Sequence, residues 1–190
     1  MSLRVISGKA RGLRLKSIKG MQTRPTADRI KESLFSIIAP LLYKANILDL
    51  FAGTGALAIE ALSRGAGFAT FIDSSRESIS VIKENIKYTG FEEIAEVYLN
   101  DYDKVIKALA QKDRKYDIVF LDPPYGKGLE YKAVEGIIDN NLLSDEGIII
   151  IETEEALEEN IYHMAKYDQR SYGRTKLSFF KMLGKFDSSL

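Results

Sequence analysis

Cysteine is absent from this 190-residue chain, and histidine occurs once, as His163. Disulfides, a thiol nucleophile and thiolate metal sites are therefore excluded. Zinc centres built on His and Cys go with them, so no metal is expected. A Ser-His-Asp hydrolase would have to rely on His163, and no Gly-x-Ser-x-Gly elbow is present. Long apolar runs are also missing. No stretch approaches the roughly 18 residues of a membrane span, and the N-terminus lacks an apolar signal-peptide core. The expectation is a cytoplasmic protein without a membrane partner. Apolar residues make up 45% and charged residues 28% of the chain, as in ordinary globular domains.

Net charge is zero, but it is unevenly spread. Residues 1–46 carry ten Lys or Arg and only two acids, Asp28 and Glu32, and the remainder is correspondingly acidic. A basic segment on a neutral chain points to an acidic partner, and nucleic-acid phosphate is the obvious one. A plain solvated surface is the alternative. Residues 4–16 alternate apolar and basic positions like a small hairpin with a turn near Gly8–Gly12. Such a ribbon would present Arg4, Lys9, Arg11, Arg14 and Lys16 together. Residues 1–22 are accordingly expected to be a basic hairpin extension, and residues 23–190 the main domain.

A helical pattern follows, with Ile30, Leu34, Ile37, Ile38 and Leu41 on one face. Thr26 is its expected N-cap, and Pro40 its end. From residue 46 strand and helix alternate. Strands are expected at 47–51, 68–72, 95–99, 118–121 and 147–152. Helices are expected at 56–64, 75–89, 102–111 and 132–140. Two late strands, 161–167 and 176–183, flank residues 170–174. Repeated strand–helix units imply a doubly wound α/β fold around a parallel sheet. Ligands in such folds bind at the carboxyl ends of the strands. Here those ends are Phe51-Ala-Gly, Ile72-Asp-Ser, Leu99-Asn-Asp and Leu121-Asp-Pro-Pro-Tyr.

Only four prolines occur, and two are adjacent in Asp122-Pro123-Pro124-Tyr125. The pair forbids helix and removes two backbone donors. It makes a stiff corner with a carboxylate, free carbonyls and an aromatic ring, suited to a flat, amine-bearing ring. A simple turn is the bland alternative.

Asp49-Leu-Phe-Ala-Gly53-Thr-Gly55-Ala-Leu-Ala58 fits Gly-x-Gly-x-x-(Gly/Ala), with Asp73 twenty residues beyond Gly53. That pattern is open to a dinucleotide. However, Asp49 beside the loop repels a pyrophosphate and favours a cation. S-adenosylmethionine, a sulfonium without phosphate, suits such a loop. Asp73 would accept its ribose hydroxyls, and Asn100 and Asp101 would reach its adenine. A capping role is the alternative for Asp49.

Taken together, these residues resemble a class I S-adenosylmethionine-dependent methyltransferase, with Asp49–Gly55 as its first motif and Asp73 as its second-strand acid. The tetrapeptide at Asp122 is similar to the (Asp/Asn)-Pro-Pro-(Tyr/Phe) motif of enzymes that methylate exocyclic or amide nitrogens. More narrowly, three segments resemble the bacterial 16S ribosomal RNA guanine-N2 methyltransferase family. They are Arg4-Val-Ile-Ser-Gly with Arg11-Gly, then Arg24-Pro-Thr-x-Asp28-Arg29-x-Lys-Glu32-Ser-Leu-Phe35, then the run from Asp49 through Glu60 to Arg64-Gly-Ala.

The resemblance implies a Rossmann-like seven-stranded sheet with its last strand antiparallel. It implies S-adenosylmethionine as cofactor and S-adenosylhomocysteine as product, held by Asp49, Phe51, Gly53, Gly55, Asp73, Ser74, Asn100, Asp101 and Asp122. Asp122, Pro123 and Tyr125 would act on the target base. Arg24 and Lys127 would join the hairpin cations in holding 16S rRNA or the small ribosomal subunit. No obligate protein partner is evident. Adenine-N6 methylation, glutamine-amide methylation, a nicotinamide dehydrogenase and a non-catalytic RNA-binding factor are rival readings. Pyrimidine C5 methylation through a covalent cysteine adduct is excluded by composition.

Overall fold

A computed structural model describes residues 3–18, 25–124 and 126–184. Eight strands form one sheet in the order β3-β2-β1-β4-β5-β8-β7-β6. The strands are β1 Asn46–Asp49, β2 Phe68–Asp73, β3 Ala95–Leu99, β4 Tyr116–Leu121, β5 Leu143–Thr153, β6 Asn160–Ile161, β7 Met164–Tyr172 and β8 Thr175–Met182. β1 to β5 pair in parallel, and β8 runs antiparallel between β5 and β7. The α/β expectation holds. The strand count is eight instead of seven, because two-residue β6 turns back to pair with the start of β7.

Five helices are described: α1 Pro25–Ile37, α2 Ala56–Ser63, α3 Arg76–Thr89, α4 Tyr102–Ala110 and α5 Leu129–Asp139. Alternate strand residues supply two cores, as the period-2 geometry of a strand requires. Ile47, Ile118, Ile150 and Phe179 face α1, α2 and α3. Leu48, Val119, Ile151 and Phe180 face α4 and α5. Both sheet faces are thus covered, and the strand residues read as continuous apolar runs.

Two helix expectations need correction. α1 already begins at Pro25, a residue favoured at the first helical position, so Thr26 lies inside it and is not its N-cap. Leu41 is exposed, because Pro40 ends the helix and places it in a 3-10 turn, Ala39–Leu41. The tail differs as well. β7 runs on through Arg170 to Tyr172, so residues 173 and 174 alone make the turn into β8. The strand expected at 161–167 is divided by a turn at Tyr162 and His163, and β7 extends to Tyr172, where polar residues mask the pattern and pairing with β8 completes it.

The N-terminal segment folds back on itself, with Val5 N–H bonding Leu13 O at 2.9 Å and one antiparallel bridge, Arg4 to Arg14. Val5, Ala10 and Leu15 enter the core shared by α1–α3, leaving Arg4, Lys9, Arg11, Arg14 and Lys16 outside. Gly8 has φ +84°, and a Cβ there would come within 1.8 Å of the Ser63 carbonyl oxygen, so α2 admits only glycine at this turn. The anchor is Glu60, fully buried in α2. Its carboxylate accepts from the backbone of Ile6 (2.8 Å) and Ser7 (3.0 Å), from Arg64 Nε (2.8 Å) and from Lys31 Nζ (3.3 Å). Asn85 of α3 fixes the other end, accepting from Lys16 N and donating to Lys16 O and Thr54 O. The boundary expected between residues 22 and 23 lies outside the described residues.

Candidate active site

β1, β2, β4 and β5 lie side by side in the sheet, and each ends in an acid at or near its carboxyl end. In sheet order these are Asp73, Asp49, Asp122 and Glu152. Asp49, Asp122 and Glu152 follow the strand alternation onto the α1–α3 side. Asp49 is 2% exposed. Burial pushes its pKa up to about 7; the Ala58 backbone N–H opposes the rise, and Asp73 adds to it. Asp122 opens onto a cleft but is walled by protein. Desolvation raises its pKa well above the ordinary carboxylate value, and the neighbouring Glu152 and Asp49 charges raise it further. Asp49 and Asp122, desolvated beside other acids, favour a positive charge in the cleft.

The glycine loop leaves β1 and spends its own donors internally. Ala52 N bonds Ile72 O at 3.0 Å, Gly53 N bonds Asp73 Oδ2 at 2.9 Å, and Gly55 N bonds Ala52 O at 2.6 Å. Asp73 also accepts from Ser75 N at 2.8 Å. It therefore fastens the loop to the start of α3, and the remaining lone pairs of its two oxygens stay available. Asp49 accepts from Ala58 in the first turn of α2, so the positive end of this helix dipole already faces a carboxylate. A pyrophosphate there would meet a charge of its own sign.

Asp49, Phe51, Gly53, Asp73, Ser74, Asp122 and Pro123 line a cleft of about 530 Å3, which Ile18 of the N-terminal segment also borders. Phe51, Ser74 and Pro124 continue into an adjoining hollow of about 760 Å3, lined also by Asn100, Asp101 and Lys127. Most of the residues singled out from the sequence therefore meet along one trough. Gly55 does not border it. It turns the chain below, at φ +77°, with a Cβ position 3.2 Å from the Phe71 ring. Tyr125 and Arg24 lie outside the described residues. Arg4 and Lys16 are exposed but paired, with Asp28 (3.2 Å) and Glu84 (2.6 Å).

Ile18, Tyr102 and Lys107 are among the lining residues that no sequence motif marks. Ile18 follows the basic ribbon and carries no motif signal. Tyr102 packs its ring against Phe51 with centroids 5.3 Å apart, and an aromatic at a helix start looked ordinary. Lys107 lies on the exposed face of α4. Among the described residues, no group of three or more His, Cys, Asp or Glu is placed to hold a metal ion. No described helix is long and apolar enough to cross a membrane.

Residues 3–181 match the family model described as Conserved hypothetical protein 95. The chain belongs to this family. A Bacillus subtilis (strain 168) relative of the Conserved hypothetical protein 95 chain, YlbH, carries the name of a candidate rRNA methyltransferase. It is 38% identical over 185 residues, covering 96% of this chain and all of the relative. The Escherichia coli (strain K12) protein named Ribosomal RNA small subunit methyltransferase D is also 38% identical. That match spans 152 residues, 80% of this chain and 75% of the relative. Among solved structures, the Escherichia coli candidate methyltransferase yhhF superposes with a TM-score of 0.83 at 33% identity. It covers 96% of this chain and 98% of its own. The fold is that of the class I methyltransferases.

Proposed function

We propose that the protein transfers a methyl group from S-adenosylmethionine to the exocyclic N2 of a guanine in 16S rRNA. The carrying observation is the pair Asp49 and Asp122, with Asp73 alongside, next to a glycine loop whose Ala52, Gly53 and Gly55 amides already have partners. These residues suit a cationic ligand without phosphate and disfavour a dinucleotide. The relatives' names support rRNA as substrate.

The donor set fits the cofactor part by part. Asp73 would accept two ribose hydroxyls. Asn100 and Asp101, with Phe51 as an apolar wall, would hold the adenine, and Asp49 and Asp122 would favour the cationic end. When bound, S-adenosylmethionine supplies a methyl group on an electrophilic sulfonium. The chain's own part is to present the nucleophile. The guanine N2 lone pair is delocalised into the ring, so the amine is a poor nucleophile. Asp122 and the Pro123 carbonyl accept its two N–H bonds, return electron density to nitrogen and aim it at the methyl. Orientation of this kind supplies roughly 7–11 kcal/mol. Tyr125 stacks on a base drawn out of its helix, worth about 1–3 kcal/mol.

Asp122→Ala tests the assignment. Methyl transfer to 16S rRNA is lost, while calorimetry still detects S-adenosylhomocysteine binding. Retained turnover removes Asp122 from the role. A parallel titration that finds NADH bound and S-adenosylmethionine not bound replaces the reading with a dehydrogenase.

A further inference from the structure

The β7–β8 turn lies at the same edge of the sheet as the cleft. Thr153, at the carboxyl end of β5, pairs with Lys176, and Tyr172 pairs with Thr175 to close the turn. In the sheet order this turn stands on one side of β4, while the N-terminal hairpin packs on α2 and α3 on the other. Helix α1 spans between them. Near its start Asp28 pairs with Arg4 of the hairpin at 3.2 Å, and Lys31 donates to the Arg4 carbonyl. Farther along, the Ser33 hydroxyl hydrogen-bonds the Tyr172 hydroxyl.

Arg29 lies four residues before Ser33, hence on the same helical face. With Glu32, Ser33, Ser36, Tyr172 and Gly173 it lines an open hollow of about 590 Å3. Arg174 follows Gly173 in the two-residue turn. Both arginines are exposed, and among the described residues neither has a carboxylate within ion-pair reach. Nearby Arg170, by contrast, is held by Asp168 at 3.0 Å. Glu32 borders the hollow without pairing to either. Two exposed guanidinium groups, one on α1 and one in the turn at the strand end where the cleft opens, match phosphate oxygens in shape and charge.

We propose that Arg29 and Arg174 form a second phosphate-binding arm, so that RNA is held on both flanks of Asp122. The inference rests on the rRNA reading above. Two anchors would fix the strand on either side of an extruded base, whereas the hairpin alone would leave one side free. Such contacts set register and affinity without reading sequence.

The test is binding of naked 16S rRNA across 50–200 mM salt by wild type, R29A/R174A, R29K/R174K and K44A. Lys44 is an exposed lysine just before β1, at the amino ends of the parallel strands and away from the cleft. R29A/R174A should bind severalfold more weakly, with a log–log salt slope smaller by about 1–2. Its KM for RNA should rise with kcat largely kept, and S-adenosylhomocysteine affinity should not change. R29K/R174K should retain most of the slope, and K44A all of it. An unchanged affinity and slope in R29A/R174A overturns the proposal, as does an equal loss in K44A. A loss seen only with assembled subunits also overturns it, because the contact is then to a ribosomal protein. If wild type methylates no RNA, the rRNA reading itself fails.

Discussion

Asp122 and Glu152 stand at the ends of adjacent parallel strands, one position beyond the Leu121–Ile151 pair. Their charges oppose one another, and Asp122 holds its proton more tightly as a result. The ionised carboxylate of Asp122 is a stronger acceptor for the amine than the neutral acid, so activity should fall as pH drops through its raised pKa. In Glu152→Gln this acidic limb should move to lower pH, because one opposing charge is gone. Pre-steady-state methyl transfer at several pH values measures it. An unmoved limb separates Glu152 from the reaction.

Asp49 carries a cost that the fold bears for its ligand. Its ordinary pKa of 3.8 rises to about 7 in the folded chain. The penalty is absent below pH 3.8, grows as pH rises through this window, and is complete above 7. At 1.36 kcal/mol per pKa unit it reaches about 4 kcal/mol. Asp49→Asn should therefore unfold at higher denaturant at pH 8, with the gain shrinking toward pH 4, while S-adenosylmethionine affinity falls. Equal stability of the two proteins at pH 8 contradicts this. In wild type, cofactor binding at pH 6 should release a proton, read by calorimetry in buffers of different ionisation heat.

Glu60 ties the hairpin to the domain. Glu60→Ala leaves Lys31 and the Ile6 and Ser7 amides without their acceptor and should cost about 3–5 kcal/mol. Hydrogen exchange should quicken first at Ile6 and Ser7, ahead of the sheet. Uniform quickening would mean that the hairpin and sheet open together.

The hairpin cations should not count equally. Among the described residues, Lys9, Arg11 and Arg14 have no acidic partner, whereas Arg4 and Lys16 are already matched by Asp28 and Glu84. Neutralising Lys9, Arg11 and Arg14 should reduce the salt slope of RNA binding by about 2–3. Neutralising Arg4 and Lys16 should change it less. The reverse order would place the RNA on the paired residues.

Much of this was legible because it depends on local rules. β3 has the expected bounds, since Gly90 and the Asn100-Asp101 corner punctuate it. The trough followed from strand ends and one spacing, Gly53 to Asp73. β5 was truncated in the reading because polar Ser144, Asp145 and Glu146 mask its first half. That half pairs only through Tyr116–Leu143, beside a register shift. Nothing local in the sequence marks Glu60 and Lys31 for burial. Their burial depends on a hairpin more than fifty residues away in sequence from Glu60, which no local pattern records. Gly55 matched a motif, yet its place is beneath the cleft, where it gives the chain its turn.

The central claim is that one guanine N2 is the methyl acceptor. Unmodified 16S rRNA and small subunits, incubated with tritiated S-adenosylmethionine and then digested to nucleosides, test it directly. Label is expected in N2-methylguanosine at a single position, and lost in Asp122→Ala. Label in N6-methyladenosine, or in ribosomal protein, contradicts it.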